Sequence, residues 1–233
     1  LDARENLSVQ VHPSPAYAAA HEGANLKTEC WYILAAEPVD EKPAVIYKGI
    51  KPGVTRESVA KHIADGSVVN DLIAVPAIPG ECHNLPSGTC HALGAGVLVA
   101  EVQTPSDTTF RVFDWGRTGR ELHVRQALEC IEFGPAPAAT KLAPGKLTAR
   151  LVHTEFFNVH ESFLPAGGVI ARGDGRSGPR LVMVLAGSVT FRAGKEDPVS
   201  AEKGATVLVP AAAVAGLHAF AKAGTRVLWV TLG

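Results

Sequence analysis

Charge is scarce and nearly balanced in this chain: 22 Lys and Arg stand against 23 Asp and Glu among 233 residues, a formal net charge of −1. A nucleic-acid partner needs a basic surplus gathered on one face, so none is expected, and any phosphate must be recognised by a few placed cations. Cysteine is sparse too. Cys30, Cys82, Cys90 and Cys130 show no close-paired spacing. A chain this long needs no disulfide staples, so they read as free thiols of a reducing cytoplasm. No run of 18 apolar residues occurs, which removes a helical membrane span. The start, Leu1-Asp2-Ala3-Arg4-Glu5-Asn6, lacks the basic start and apolar stretch of a signal peptide. It reads as the middle of a strand and loop, so the chain is expected to begin inside a longer protein.

What is abundant points to β structure. Hydrophobic residues make up 46 %, and 23 Gly and 16 Pro punctuate many short apolar runs. Leu7 to His12 alternates with period two, placing Ser8, Gln10 and His12 on one strand face. Further strands are expected over Cys30–Ala35, Val45–Tyr47, Val97–Thr104 and Thr108–Phe113. Thr55 to Ala64 breaks the pattern: Thr55 can cap a helix, and Val59, His62 and Ile63 share one helical face. A small helical insertion near 55–73 follows. Pro135-Ala136-Pro137-Ala138-Ala139 is a Pro/Ala-rich linker candidate. Strands are again expected over Ala149–His153, Phe156–His160, Arg180–Leu185, Ser188–Arg192, Thr206–Val209 and Thr225–Thr231, with Ala186-Gly187-Ser188 as a hairpin turn. The expected division is a first domain over 1–134 and a smaller β-sandwich over 141–233, whose ligand-type residues do not cluster.

The strongest local signal is Gly80, five residues, then Pro86-Ser87-Gly88-Thr89-Cys90-His91. It matches G-x5-P-x-G-x2-H, the second cupin motif. Gly80 permits a tight entry turn, Pro86 and Gly88 shape another, and the chain returns with His91 pointing into a barrel. Gln10-Val11-His12 supplies side chains two apart on one strand, and Lys27 and Glu29 share a face downstream. Two imidazoles and a carboxylate suit Zn²⁺, with Gln10 as an auxiliary ligand; Fe²⁺, Mn²⁺ or Co²⁺ fit a similar set.

Four segments in order, Leu7 to Pro13, Lys27 to Tyr32, Pro86 to Ala92 and Ser106 to Trp115, closely resemble the type I mannose-6-phosphate isomerases, in a short bacterial form. The match covers roughly residues 1–130, and the tail resembles the family's second, metal-free cupin more loosely. The resemblance implies an all-β chain of two cupin-like jelly-roll β-sandwiches. It implies Gln10, His12, Glu29 and His91 as ligands of one zinc, Arg111 as the catalytic arginine, and Lys27 and Ser8 at the substrate site; Glu101 is carried as a further substrate-site candidate. Family members begin with several dozen residues that this chain lacks. In some members a histidine precedes the lysine of the K-x-E motif; here that position is Leu26, so its proton-transfer role does not carry over.

The reaction so implied interconverts mannose 6-phosphate and fructose 6-phosphate through a cis-enediol. Metal and fixed cations would stabilise its developing oxyanion. The base stays open among metal-bound water, Glu101 and Lys27. A small hexose phosphate is the expected partner, and the chain is expected as a cytoplasmic monomer or weak homodimer. One rival is a non-catalytic sugar-phosphate- or metal-binding cupin. Another is an iron-dependent cupin oxygenase, which leaves Lys27 and Arg111 without a use. Blander readings stand beside these. His21, His62, His83, His123, His153, His160 and His218 sit in no motif and read as surface or hydrogen-bonded core residues. Arg111 can be an ion-pair partner of Asp107 or Asp114, and Trp31 and Trp115 read as core.

Overall fold

In the computed structural model, which describes residues 1–168, 178–195 and 197–233, short strands dominate. The chain divides into two compact units, Leu1–Ala139 and Thr140–Gly233.

The first unit contains β1 (Asp2–Ala3), β2 (Val9–Val11), β3 (Glu29–Ala36), β4 (Val45–Ile50), β5 (Leu72–Pro76), β6 (Cys82–Leu85), β7 (His91–Leu93), β8 (Val97–Gln103) and β9 (Phe110–Phe113). They form a four-stranded sheet, β1-β8-β3-β6, and a five-stranded sheet, β5-β4-β7-β2-β9, every pair antiparallel. The sheets do not join into a closed barrel, so His91 points into the gap of a sandwich and not into a barrel. The period-two pattern decides which side chain goes where. Ile46 and Leu93 of one sheet meet Trp31, Ile33, Leu85, Val97 and Val99 of the other in the core between the sheets. Val9, Val11, Ile50, Cys90, Ala92 and Val112 lie in a second cluster, on the other face of the five-stranded sheet.

Three helices complete that second cluster: α1 (Pro15–Ala20), α2 (Arg56–Asp65) and α3 (Val124–Cys130). The expected insertion is α2. Thr55 accepts from the Ser58 amide, Gly66 closes the helix in the left-handed region, and Val59 and Ile63 are the buried pair. A 3₁₀ turn, Val68–Asp71, leads into β5. The sequence reading missed α1 and α3. α1 had a legible start, since Ser14 caps it with Pro15 at the first helical position. α3 has no side-chain cap and is set by burying Ala127 and Cys130. None of the four cysteines forms a disulfide, and all are buried.

The second unit holds β10 (Thr148–His153), β11 (Phe157–Leu164), β12 (Arg180–Ala186), β13 (Ser188–Ala193), β14 (Val199–Glu202), β15 (Thr206–Val209), β16 (Leu217–Ala221), β17 (Thr225–Leu232) and a short helix, α4 (Ala211–Val214). A five-stranded sheet, β10-β11-β17-β12-β15, and a three-stranded sheet, β14-β13-β16, enclose Val182, Val189, Phe191, Val227 and Trp229. The hairpin expected at Ala186-Gly187-Ser188 is instead a corner, because β12 and β13 belong to different sheets. Gly187 adopts φ +75°, and a Cβ there would lie 2.6 Å from Thr225 Oγ1, so only glycine lets the chain turn this close to Thr225. Among the described residues no helix is long and apolar enough to cross a membrane.

Ile50 is fully buried where β4 meets the helices. Ile50→Ala should cost about 2–5 kcal/mol through lost contact and a residual cavity, read as a lowered urea midpoint.

Candidate metal and substrate site

Two registers bring the site together. On the five-stranded sheet, Lys48 pairs with His91, His91 with Gln10, and Gln10 with Arg111. Directly opposed residues of an antiparallel ladder project from the same face, so these four make a row across β4, β7, β2 and β9. On the other sheet, Glu29 and Trp31 lie two apart on β3. Glu29 is flanked by Leu85 and Gln103, and Trp31 by His83 and Glu101.

His12, Glu29 and His91 converge across this gap. His12 Nε2 lies 3.4 Å from one Glu29 oxygen and His91 Nε2 3.1 Å from the other. Their potential ligand atoms all fall within 4.8 Å of one another, the one such group among the described residues. Both rings are aimed from behind. His12 Nδ1 donates to the Thr108 carbonyl at 3.0 Å, and His91 Nδ1 to the Thr89 carbonyl at 2.8 Å. A carbonyl only accepts, so each imidazole carries a proton on Nδ1 and turns Nε2 toward Glu29; protonated, Nε2 pairs with the carboxylate, and deprotonated, it offers its lone pair to a cation. The Gly88 turn sets the approach of His91. At φ +92° a Cβ on Gly88 would meet Glu132 Cγ at 2.6 Å, which accounts for glycine in the motif.

The electrostatics match. Glu29 is 0 % exposed. Burial works against its charge, but the His91 and His12 imidazoles, when protonated, outweigh burial and hold the carboxyl well below the usual range. Burial lowers the pKa of His12, with Glu29 opposing and His91 adding to the fall. Despite these contacts, His12 Nε2 and both Glu29 oxygens lack a hydrogen bond. Buried polar atoms are almost always satisfied, and two imidazoles with a carboxylate are the donor set of a zinc-type cation. The residues therefore fit a metal.

The other candidates surround this group at different distances. Gln10 Nε2 donates to His91 Nε2 at 3.2 Å. Lys27 places its ammonium 3.2 Å from Glu29, with its side chain 12 % exposed. Ser8 is buried two residues before Gln10. Arg111 stands opposite Gln10 in the ladder; its Nη1 donates to the Glu121 carbonyl at 2.8 Å, and its Nε has no hydrogen bond. Asp114 takes Arg117 and Arg120 as its partners, which removes it from the ion-pair reading of Arg111. Glu101 accepts from the Trp31 indole at 2.9 Å, and burial, then the Glu29 charge, raise its pKa. Trp31 in turn packs edge-on against His91, ring centres 5.3 Å apart. Trp31 is core, as expected, yet it links Glu101 to the imidazole, which no local pattern reveals.

No family model matches the chain. A mannose-6-phosphate isomerase from Streptococcus mutans is 36 % identical over 219 residues, covering 90 % of this chain and 66 % of that protein. Mannose-6-phosphate isomerase from Bacillus subtilis has a crystal structure that superposes with a TM-score of 0.81 at 27 % identity, covering 99 % of this chain and 73 % of that one. A mannose 6-phosphate isomerase structure bound with zinc and yttrium shares the fold, with a TM-score of 0.72 at 16 % identity, covering 100 % of this chain and 77 % of that one. The chain spans less than two thirds of the length of the curated relatives it matches first.

A lowered His12 pKa means that the unfolded chain takes up this proton first as pH falls below the ordinary 6.5. Stability is then lost on acidification. The urea midpoint of the metal-free protein should fall between about pH 7.5 and about pH 5.5, and fall less in His12→Gln. Equal slopes in the two would contradict the assignment.

Proposed function

The chain belongs to the mannose-6-phosphate isomerase family, and from that footing we propose that it interconverts mannose 6-phosphate and fructose 6-phosphate at a zinc ion held by His12, Glu29, His91 and Gln10. The observation that carries the reading is the convergence of two aimed imidazoles on a fully buried carboxylate whose oxygens lack hydrogen bonds. Half a turn of the Gln10 amide would present its oxygen where its nitrogen now meets His91. When bound, such a cation supplies Lewis-acid stabilisation to the oxygens on C1 and C2 of the open-chain sugar.

The chain's own residues do the rest. Moving the carbonyl between C1 and C2 requires one carbon-bound proton to leave and another to return on the neighbouring carbon, through a cis-enediolate. Arg111 carries a permanent positive charge and stabilises the oxyanion of that intermediate. Its hydrogen bond to Glu121 limits the directions the guanidinium can take. Lys27, its ammonium beside Glu29, offers donors to substrate oxygens at the same rim. Glu101 is the residue best suited to carry the proton, because its raised pKa lies nearer the working pH than an ordinary carboxyl's. Ser8 donates to the substrate from the start of β2. In this reading the enzyme is cytoplasmic and its partner is a small hexose phosphate.

Two variants test the assignment. Arg111→Ala should keep its full zinc content while turnover falls by about 10²–10³-fold, as when one oxyanion donor is lost; unchanged turnover removes Arg111 from the mechanism. His91→Ala should lose zinc and activity together, measured by metal analysis beside fructose 6-phosphate formation. Full zinc with full activity would overturn the ligand set, and full zinc without turnover in the unaltered chain would favour a binding protein over an enzyme.

A further inference from the structure

Next to His91 in one ladder and to Trp31 in the other, the same unit holds a second polar cluster. Lys48 is the ladder partner of His91 on β4, and His83 that of Trp31 on β6, so the two come from opposite sheets. Both are buried, Lys48 at 5 % exposure and His83 at 1 %. A cavity of about 290 Å³ opens beside them, lined by Lys48, Glu81, His83, Ile73, Val75 and the Pro/Ala-rich strap 135–139. This volume falls at the small end of ligand pockets.

The polar groups are oriented but incompletely used. Lys48 Nζ donates to the Pro137 carbonyl at 2.6 Å, which fixes the ammonium against the strap and leaves two N–H groups in hand. Neither ring nitrogen of His83 has a hydrogen bond, and Glu81 stays 3.9 Å away, beyond hydrogen-bond range. Burial, then the Lys48 charge, pushes His83 down to about 4. At neutral pH the ring therefore offers one donor and one acceptor, both unmet.

These features select a ligand class. Lys48 and Glu81 cancel in charge, so no positive surplus remains for a phosphate or carboxylate, and an ammonium on the wall opposes a metal ion. A hydroxyl both gives and takes a hydrogen bond, which meets the two nitrogens of a neutral imidazole without a change of charge. Ile73, Val75 and the strap supply apolar surface for C–H faces. We propose that this cavity binds a neutral polyol, an unphosphorylated sugar or sugar alcohol, at a site separate from His12, Glu29 and His91. The proposal goes beyond the isomerase reading and does not need a metal.

Sorbitol is a suitable probe, titrated into the metal-free chain while the His83 ring signals are followed by NMR. The expected result is a saturable shift of those signals. Affinity should be unchanged in His91→Ala and weakened at least about tenfold in Lys48→Met and in His83→Leu, the order of a lost buried hydrogen bond. Calorimetry provides the affinity where the His83 signal itself is removed. Should His83→Leu fail to fold, Lys48→Met and the ring signals of the unaltered chain still decide. No shift at saturating sorbitol would overturn the site. So would unaltered affinity in Lys48→Met, an equal loss in His91→Ala, or tighter binding of inorganic phosphate at the same signals. Isomerase turnover is measured apart from all of these, so the two readings fail separately.

Discussion

Glu29 is the constraint around which the first unit is built. A carboxylate with no solvent exposure sits in the gap of a β-sandwich, faced by two imidazoles and an ammonium. Burying such a charge unpaired is prohibitive. Here it is tolerable because the opposing sheet delivers His12 and His91 to opposite oxygens of the same group. The arrangement is only partly satisfied by protein atoms, since both oxygens and His12 Nε2 lack a hydrogen bond. An orphaned buried polar group costs roughly 1–3 kcal/mol, a cost that a bound cation would remove. Stability and metal affinity are then aspects of one electrostatic arrangement.

That arrangement needs stiff walls, and the hydrophobic layers provide them. One cluster fills the space between the sheets, and the other binds α2 and α3 to the outer face of the sheet that carries Gln10 and His91. The row of Lys48, His91, Gln10 and Arg111 on β4, β7, β2 and β9 is therefore held from behind by packed Val, Ile, Cys and Ala side chains. Short strands with fixed registers place side chains more tightly than loops do. The two imidazoles gain further precision from hydrogen bonds to the Thr108 and Thr89 carbonyls.

The same row grades from one chemistry to another. At one end Arg111 stands opposite Gln10, and Lys27 flanks Glu29, so fixed positive charge gathers there. At the other end Lys48 and His83 share a pocket whose charges cancel. Trp31, the register neighbour of His83, gives its indole N–H to Glu101 and its edge to His91.

Much of this was legible in the order of the amino acids, for a local reason. Strand alternation assigns side chains to faces, so Gln10 with His12 and Lys27 with Glu29 could be paired by counting. The Gly80-to-His91 spacing marks a turn that only certain residues allow, and Thr55 with Gly66 frames α2. Helix α3, the corner at Gly187 and the partners of Asp114 escaped, because each depends on which surface the segment meets; α1 carried its own start signal in Ser14-Pro15. Tertiary structure alone decided the cross-sheet facts: that Nε2 of both histidines turns to Glu29, that Glu101 is reached through Trp31, and that His83 is buried without a hydrogen-bond partner. Periodicity says which face a side chain takes, but not what it faces there; that is fixed only when two sheets pack in one register.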